Sequence, residues 1–292
     1  MTVKCEWIEQ PSKEYLENVF INRLDLSYSN GINWILLGDE SKRNEIPVYI
    51  NNNRAWVSLL FLNLTADELV ILFKFIFESR REIKRISYRI TALDPSLVYE
   101  YVLQNESKAW LLNLNDTFEN VFMRSSARTK YDFRRTKKTL EKKIGHITFR
   151  KYVVNNVPFE IVRKYVEFKA HSYELSAEES NPHYYLNSEK LDATDFYVLS
   201  GDNGEIIAIQ INSEHGNFAS LVNMAYNPVF FNDSPGRYLY TLVIEDLIKN
   251  GFELLYLGSG NEWYKKLYGA EQFDYWVGDV FNNSQSMKDI AK

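Results

Sequence analysis

Residues 218–268 read FASLVNMAYNPVFFNDSPGRYLYTLVIEDLIKNGFELLYLGSGNEWYKKLY. Phe218–Tyr226 is an apolar, strand-like run, and Ser234-Pro-Gly236 starts a helix that continues to Asn250-Gly251. Leu254–Leu257 is a short apolar strand, Gly258-Ser-Gly260 a turn, and Asn261–Tyr268 a short helix. Pro just inside a helix start and Gly at its end mark those limits. A strand, a Pro/Gly turn and a helix N-terminus together present free backbone N–H groups and the positive end of a helix dipole. Such a turn suits an anion, and a pyrophosphate in particular. Arg237 adds a side-chain cation.

Upstream, Ile147–Val154 alternates like a strand, and Val157-Pro158 opens a helix to about Tyr173. A polar loop runs through Ser180–His183. Phe196–Leu199, Ile206–Ile211 and Phe218–Tyr226 are then joined by tight Gly-bearing turns, which predicts an antiparallel meander. Val277–Phe281 reads as a last strand. Further upstream, Asp116-Thr-Phe-Glu119 opens a stretch with nine basic residues between Arg124 and Lys143, ended by Gly145. One helix over 116–143 would be about 40 Å long and could bridge two domains. Its charge fits a phosphate-rich partner or a solvated face. Residues 1–115 mix short strands at 34–38, 48–50, 55–62, 86–90 and 109–114 with a helix opened by the capping box Thr65–Glu68 and running to about Arg81.

The chain has 292 residues, is 45% apolar and 25% charged, and carries a net charge of −5. That composition is globular and excludes disordered, collagen-like and rod-like classes. Length allows one large domain or two. A single Cys excludes a disulfide framework or Cys-based metal site, and the four scattered His make no ligand spacing. The acidic balance argues against a general nucleic-acid binder. No run is long and apolar enough to span a bilayer, and the first residues show no secretory pattern, so the expected compartment is the cytoplasm. The 44 aromatic residues fit either coding bias or a surface for sugars or bases.

From about Asp116 to Phe281 the chain resembles the GNAT acyltransferase superfamily, and within it the CelD-type and FemABX branch built from two GNAT-like halves. The resemblance is carried by Arg128…Phe133-Arg134-Arg135…Leu140-Glu141…Gly145, by Ser234-Pro-Gly236…Leu239, and by Gly258-Ser-Gly260…Trp263-Tyr264-Lys265. It implies an α/β fold with a mixed sheet: a degenerate N-terminal GNAT-like domain (1–115), a basic connecting helix (116–145) and a C-terminal catalytic domain (146–292). It also implies an acyl-CoA co-substrate held where two strands splay apart, and no metal. Cofactor contacts would come from Met224, Ala225, Tyr226, Ser234, Gly236, Arg237, Tyr238 and Asn261. A main-chain N–H near Met224 or Ala225 would polarise the thioester carbonyl. Tyr264, with Tyr268 as fallback, would protonate the departing thiolate.

The phosphate turn departs from the family pattern, since the arginine follows the Gly. The first splayed strand holds no carboxylate, leaving Ser220 and Asn223 to orient an amine. The proton acceptor stays open among His171, Glu174, His183 and Glu214. Substrate contacts are expected from His171, Glu174, Tyr184 and Arg128, with His183 as a catalytic candidate. The expected reaction is direct N-acylation of an amino sugar, nucleotide-linked through dTDP or UDP and destined for surface polysaccharide. The expected partners are small molecules, with no membrane insertion, no nucleic acid, and a homodimer as the oligomer considered. Aminoacyl transfer from charged tRNA and a non-catalytic CoA-binding module are the alternatives.

Overall fold

The computed structural model describes residues 3–8, 32–38, 43–59, 64–91, 103–186, 195–215, 217–259 and 263–282. The chain forms two compact units, Met1–Ala109 with Phe273–Lys292, and Trp110–Gln272.

In the first unit, β1 (Lys4–Ile8), β2 (Ile32–Gly38), β3 (Arg43–Asn51) and β4 (Arg54–Leu59) pair antiparallel in that order. β5 (Arg85–Thr91) pairs parallel to β4, reached through the crossover helix α1 (Ala66–Ser79). Thr65 and Glu68 form the reciprocal capping box that the sequence predicts. Period-2 alternation turns Ala55, Val57, Leu59, Ile86, Tyr88 and Ile90 onto Leu69, Leu72, Phe73, Ile76 and Phe77 of α1. On the other face Arg54 stacks on Trp56 and Arg85 on Phe281, and Asp279 there is held below the usual carboxylate range: burial raises it, but hydrogen bonds from Arg85 and Ser87 outweigh that effect.

The second unit begins within β6 (Leu103–Asn113) and continues with α2 (Phe118–Met123), α3 (Ala127–Ile144), β7 (Ile147–Val153), α4 (Phe159–Ala170), α5 (Pro182–Leu186), β8 (Asp195–Gly201), β9 (Ile206–His215), β10 (Phe218–Tyr226), α6 (Pro235–Lys249) and β11 (Leu254–Ser259). Its sheet order is β6-β11-β10-β9-β8-β7, with β7 to β10 antiparallel and β10/β11 parallel. Two cores flank this sheet. Tyr197, Leu199, Ala208, Leu239, Val243 and Leu247 pack on the side of α2, α3 and α6, while Phe196, Val198, Ile209, Tyr165 and Phe168 pack on the side of α4 and α5.

The structure differs from the sequence reading in three places. The expected 28-residue bridging helix is two helices, broken at Arg124–Ser126. Ser126 caps the second one by accepting from the Thr129 N–H at 3.1 Å, and Ser125 is buried. Both helices lie wholly in the second unit and pack against α6. The last strand is longer than expected. β12 (Glu271–Phe281) belongs from Phe273 on to the first unit, where it pairs antiparallel with β5. The second unit thus runs over 110–272 rather than 146–292. No helix among the described residues is long and apolar enough to cross a membrane, and no cluster of three His, Cys, Asp or Glu among them is placed to hold a metal.

A partly buried polar network ties β7, β8 and β9 to α6. Lys151 reaches Asp195 at 2.9 Å and Glu214, and the Tyr197 hydroxyl donates to Glu214 and, at 3.3 Å, to Asp246. Burial first, and then the neighbouring Asp195 carboxyl, push Glu214 up to about 7. Its folded value lies above its unfolded one, so the bound proton stabilises the fold fully below about pH 4.5. That contribution is lost as pH rises toward 7. Glu214→Gln is therefore expected to lose less thermal stability than the wild type between pH 5 and 8. Parallel melting-temperature profiles for the two proteins would contradict this.

Candidate active site

β10 and β11 are paired only at Phe218–Ser220 with Leu254–Tyr256. Beyond that point β10 continues paired with β9 but without β11, and a cleft of about 1040 Å³ opens at the second unit's sheet. It lies at the upper end of the range for small-molecule sites.

A bulge at Val222 shifts the β10/β9 register between Leu221 and Asn223. The bulge exchanges the two faces of the strand. Ala219 and Leu221 lie in the core beside α6, whereas Ala225 lies in the core beside α4. Met224 and Tyr226 are thereby brought to the α6 side. Asn227 N–H donates to the Ile207 carbonyl at 2.8 Å. By the two-residue alternation of an antiparallel ladder, Ala225 also points its backbone groups at β9, and Met224 and Tyr226 turn theirs to the edge that β11 has left. Asn223 Oδ1 accepts from the Met224 N–H at 2.8 Å. Of the two backbone candidates for the thioester carbonyl, Met224 thus faces the cleft edge and Ala225 does not.

The start of α6 closes one end of the cleft. Ser234 is left-handed, with φ of 55°, and its side chain caps nothing. Pro235 has no N–H, and the first intrahelical bond is from Tyr238 to the Ser234 carbonyl at 3.3 Å. The N–H groups of Gly236 and Arg237 precede that bond. Gly236 is needed for close approach, since a Cβ there would sit 2.8 Å from Met224 Sδ and 3.3 Å from Tyr226 Cδ1. The Arg237 guanidinium is held by Asp132 of α3 at 3.2 Å. Deeper in, the Tyr240 hydroxyl is buried without a hydrogen-bond partner among the described residues, and its ring borders the cleft. Burial pushes that phenol well above its ordinary range, so it remains a neutral donor.

Tyr264 lies on the far rim, on the 3₁₀ turn Trp263–Lys266, with its ring edge-on to Tyr240 at 5.8 Å. Lys265 is buried, and its Nζ donates to the Ser259 carbonyl at the end of β11, tying this turn to the strand. The opposite wall comes from the segment after α4: Tyr173, Glu174 and Glu179. Lys169 Nζ, also buried, bonds Glu179 at 3.1 Å and the Tyr185 hydroxyl at 3.4 Å. The Ser176 N–H and then Lys169 hold Glu179 below the usual carboxylate range.

Of the expected site residues, the cleft brings together Asn223, Met224, Tyr226, Ser234, Gly236, Arg237, Tyr264 and Glu174. The others lie elsewhere. Ser220 is buried in the stretch where β10 and β11 are still paired. His183 is exposed on α5, with its ring 5.1 Å from Phe159. Tyr238 packs on Phe133 at 4.9 Å, and Tyr184 packs on Tyr185. His171 is exposed at the end of α4, and the Arg128 side chain is 91% exposed on α3. Tyr268 is a core residue whose hydroxyl pairs with Thr241 at 2.6 Å. Glu214 belongs to the polar network of Lys151, Asp195 and Tyr197 described above. Asn261 lies outside the described residues. The sequence reading missed Lys169, Glu179 and Tyr240. Lys169 falls on the apolar face of its helix, beside Phe168 and Tyr165, which was the available signal.

Residues 127–266 match the family model for the acetyltransferase (GNAT) domain. Over these residues the chain is similar to a GNAT acetyltransferase domain, on a mixed α/β fold of the tandem GNAT-like kind. FemX is similar to it with a TM-score of 0.66 at 8% identity, over 98% of this chain and 100% of that one. The L-PGS structure from Bacillus licheniformis is similar with a TM-score of 0.54 at 13% identity, over 97% and 96% of the two chains. A tandem GNAT protein from the clavulanic acid biosynthesis pathway is similar with a TM-score of 0.53 at 9% identity, over 97% and 99%. At such identities these likenesses show the fold. No curated protein sequence matches the chain.

Proposed function

We propose that the second unit transfers an acyl group from acyl-CoA to the amine of an amino sugar, nucleotide-linked through dTDP or UDP and used for surface polysaccharide. The observation that carries this reading is the splay of β10 from β11 beside the uncapped start of α6. The N–H groups of Gly236 and Arg237 and the helix dipole suit the pyrophosphate of the co-substrate. The backbone edge at Met224 and Tyr226 suits its extended amide arm. The orphaned Tyr240 hydroxyl offers a buried donor to a bound group. The co-substrate supplies the activated acyl carbon, and the chain supplies binding, orientation and proton transfer.

An amine must be neutral to attack. Glu174 is the one sequence-predicted proton acceptor that borders the cleft, and we assign it that role. Glu179, neutralised by Lys169, holds that wall in place, and the Tyr173 and Phe231 rings offer apolar faces to a sugar. Tyr264 donates to the departing thiolate. Cys5 is in the first unit, and burial pushes its thiol up to about 11, so it is no nucleophile at neutral pH. Transfer is then direct. A soluble acyl donor places the enzyme in the cytoplasm.

Calorimetric titration with acetyl-CoA, followed by free-thiol release in the presence of dTDP- and UDP-amino sugars, tests the reading. Saturable binding and sugar-dependent thiol release are expected. Absence of binding to any acyl-CoA sinks it. The likeness to FemX across the whole chain keeps one alternative in view, aminoacyl transfer from charged tRNA. Product formation from charged tRNA and not from acyl-CoA would select that reading.

A further inference from the structure

The outward face of α3 is densely basic. Thr129, Thr136 and Leu140 are its buried side. At about 100° per residue, the opposite side is a band roughly 120° wide occupied by Tyr131, Arg134, Arg135, Lys138 and Lys142, with Arg128 at its edge. From 128 to 142 the band is about 21 Å long at 1.5 Å per residue. All six side chains are exposed. Asp132, turned inward, takes Arg237 at 3.2 Å and Arg135 at 3.5 Å, and Glu141 is paired with Lys137 at 3.9 Å. Arg134, Lys138 and Lys142 have no ion pair among the described residues.

Two large apolar side chains are exposed on α2 and α3. Tyr131, within the band, is 64% exposed, and Met123, at the end of α2, is 65% exposed. Lys130 Nζ reaches the Met123 carbonyl at 3.1 Å and fastens α2 to the start of α3.

We propose that this face docks the protein, peripherally, on an anionic membrane. A band as wide as it is long in side-chain reach matches a plane of headgroups better than a single phosphate strand. Tyr131 and Met123 fit the boundary between headgroups and acyl chains, where an amphipathic ring and a flexible thioether are both accommodated. A phosphate backbone would use the cations and leave the Met idle. The chain as a whole carries a charge of −5, so the attraction is confined to this face and orients the molecule. Each cation near an anionic surface raises partitioning by roughly fivefold. The inference is independent of the acyl-transfer reading.

The test is co-sedimentation of the full chain with vesicles of phosphatidylcholine alone and with one-quarter phosphatidylglycerol. Binding is expected only to the anionic vesicles, and it should fall steeply between 50 and 500 mM salt. Arg134→Gln, Lys138→Gln and Lys142→Gln combined should lower partitioning by roughly 100-fold, with an unchanged melting temperature. Tyr131→Ser with Met123→Ser should lower it by a smaller factor that salt does not alter. No binding to anionic vesicles, equal binding by the triple variant, or binding to an RNA duplex with none to the vesicles would each overturn the proposal.

Discussion

Gly236→Val is expected to weaken acyl-CoA binding by about 100-fold while leaving the melting temperature within a few degrees of the wild type. A Cβ at this position meets Met224 Sδ at 2.8 Å and Tyr226 Cδ1 at 3.3 Å. The thioether of Met224 can swing aside for a single methyl, so Gly236→Ala should lose no more than about tenfold. A branched side chain cannot be accommodated that way. It must push the first turn of α6 off the end of β10, and with it the N–H groups of Gly236 and Arg237. Hydrogen bonds to a charged group are worth about 1.5–3 kcal/mol each. Losing the alignment of two at the low end of that range, about 3 kcal/mol, gives roughly the stated factor. The remainder of α6 is anchored by Leu239, Val243, Ile244 and Leu247, all fully buried, so the fold survives. Calorimetric titration with acetyl-CoA measures the effect. An unchanged dissociation constant for the Val variant would show that the ligand's phosphates lie elsewhere.

Tyr264→Phe is expected to lower kcat by about 100-fold with little change in acyl-CoA affinity. The substitution keeps the ring and its edge-on contact with Tyr240, so only the hydroxyl is lost. General acid catalysis contributes about 10²–10⁴-fold. The leaving thiol is itself fairly acidic, with a pKa near 8.5 for a free cysteine. It needs less help than an alkoxide, which puts the loss at the low end. Steady-state rates across pH, with binding measured separately, check this. A kcat within about threefold of the wild type would remove Tyr264 from the mechanism. Loss of affinity without loss of kcat would make it a binding residue.

Much of the second unit is legible from local signals. The Gly-bearing turns at 201–204 and 214–217 announce the β8–β9–β10 meander, and Ser234-Pro-Gly236 announces α6. Gly145, with φ of 80°, ends α3 as its position after a basic last turn predicts. The capping box at Thr65 sets the start of α1. Each of these rests on residues within a few positions of one another, where φ/ψ preference and capping act.

Other features had no local signature. Ser125 and Ser126 are tolerated within a helix and also cap one. Their choice here depends on the packing of α2 and α3 against α6. The Val222 bulge breaks no sequence pattern, yet it decides which of Met224, Ala225 and Tyr226 faces the cleft. Ser220 and Asn223 look alike as polar residues on one strand. Only the point where β11 departs separates a buried residue from one on the cleft wall. Lys169 and Glu179 meet because the segment after α4 folds back, ten residues apart in sequence.

By itself, then, the sequence determined most elements of the second unit, their order, and the uncapped start of α6, because those follow from short-range backbone and capping chemistry. The tertiary structure decided that residues 273–282 join the first unit, that the basic stretch is two helices packed on α6, and that Glu174, Asn223, Gly236 and Tyr264 border one cleft while Ser220 and His183 do not. Those outcomes depend on strand partners and on burial between residues far apart in the chain, which no local periodicity encodes.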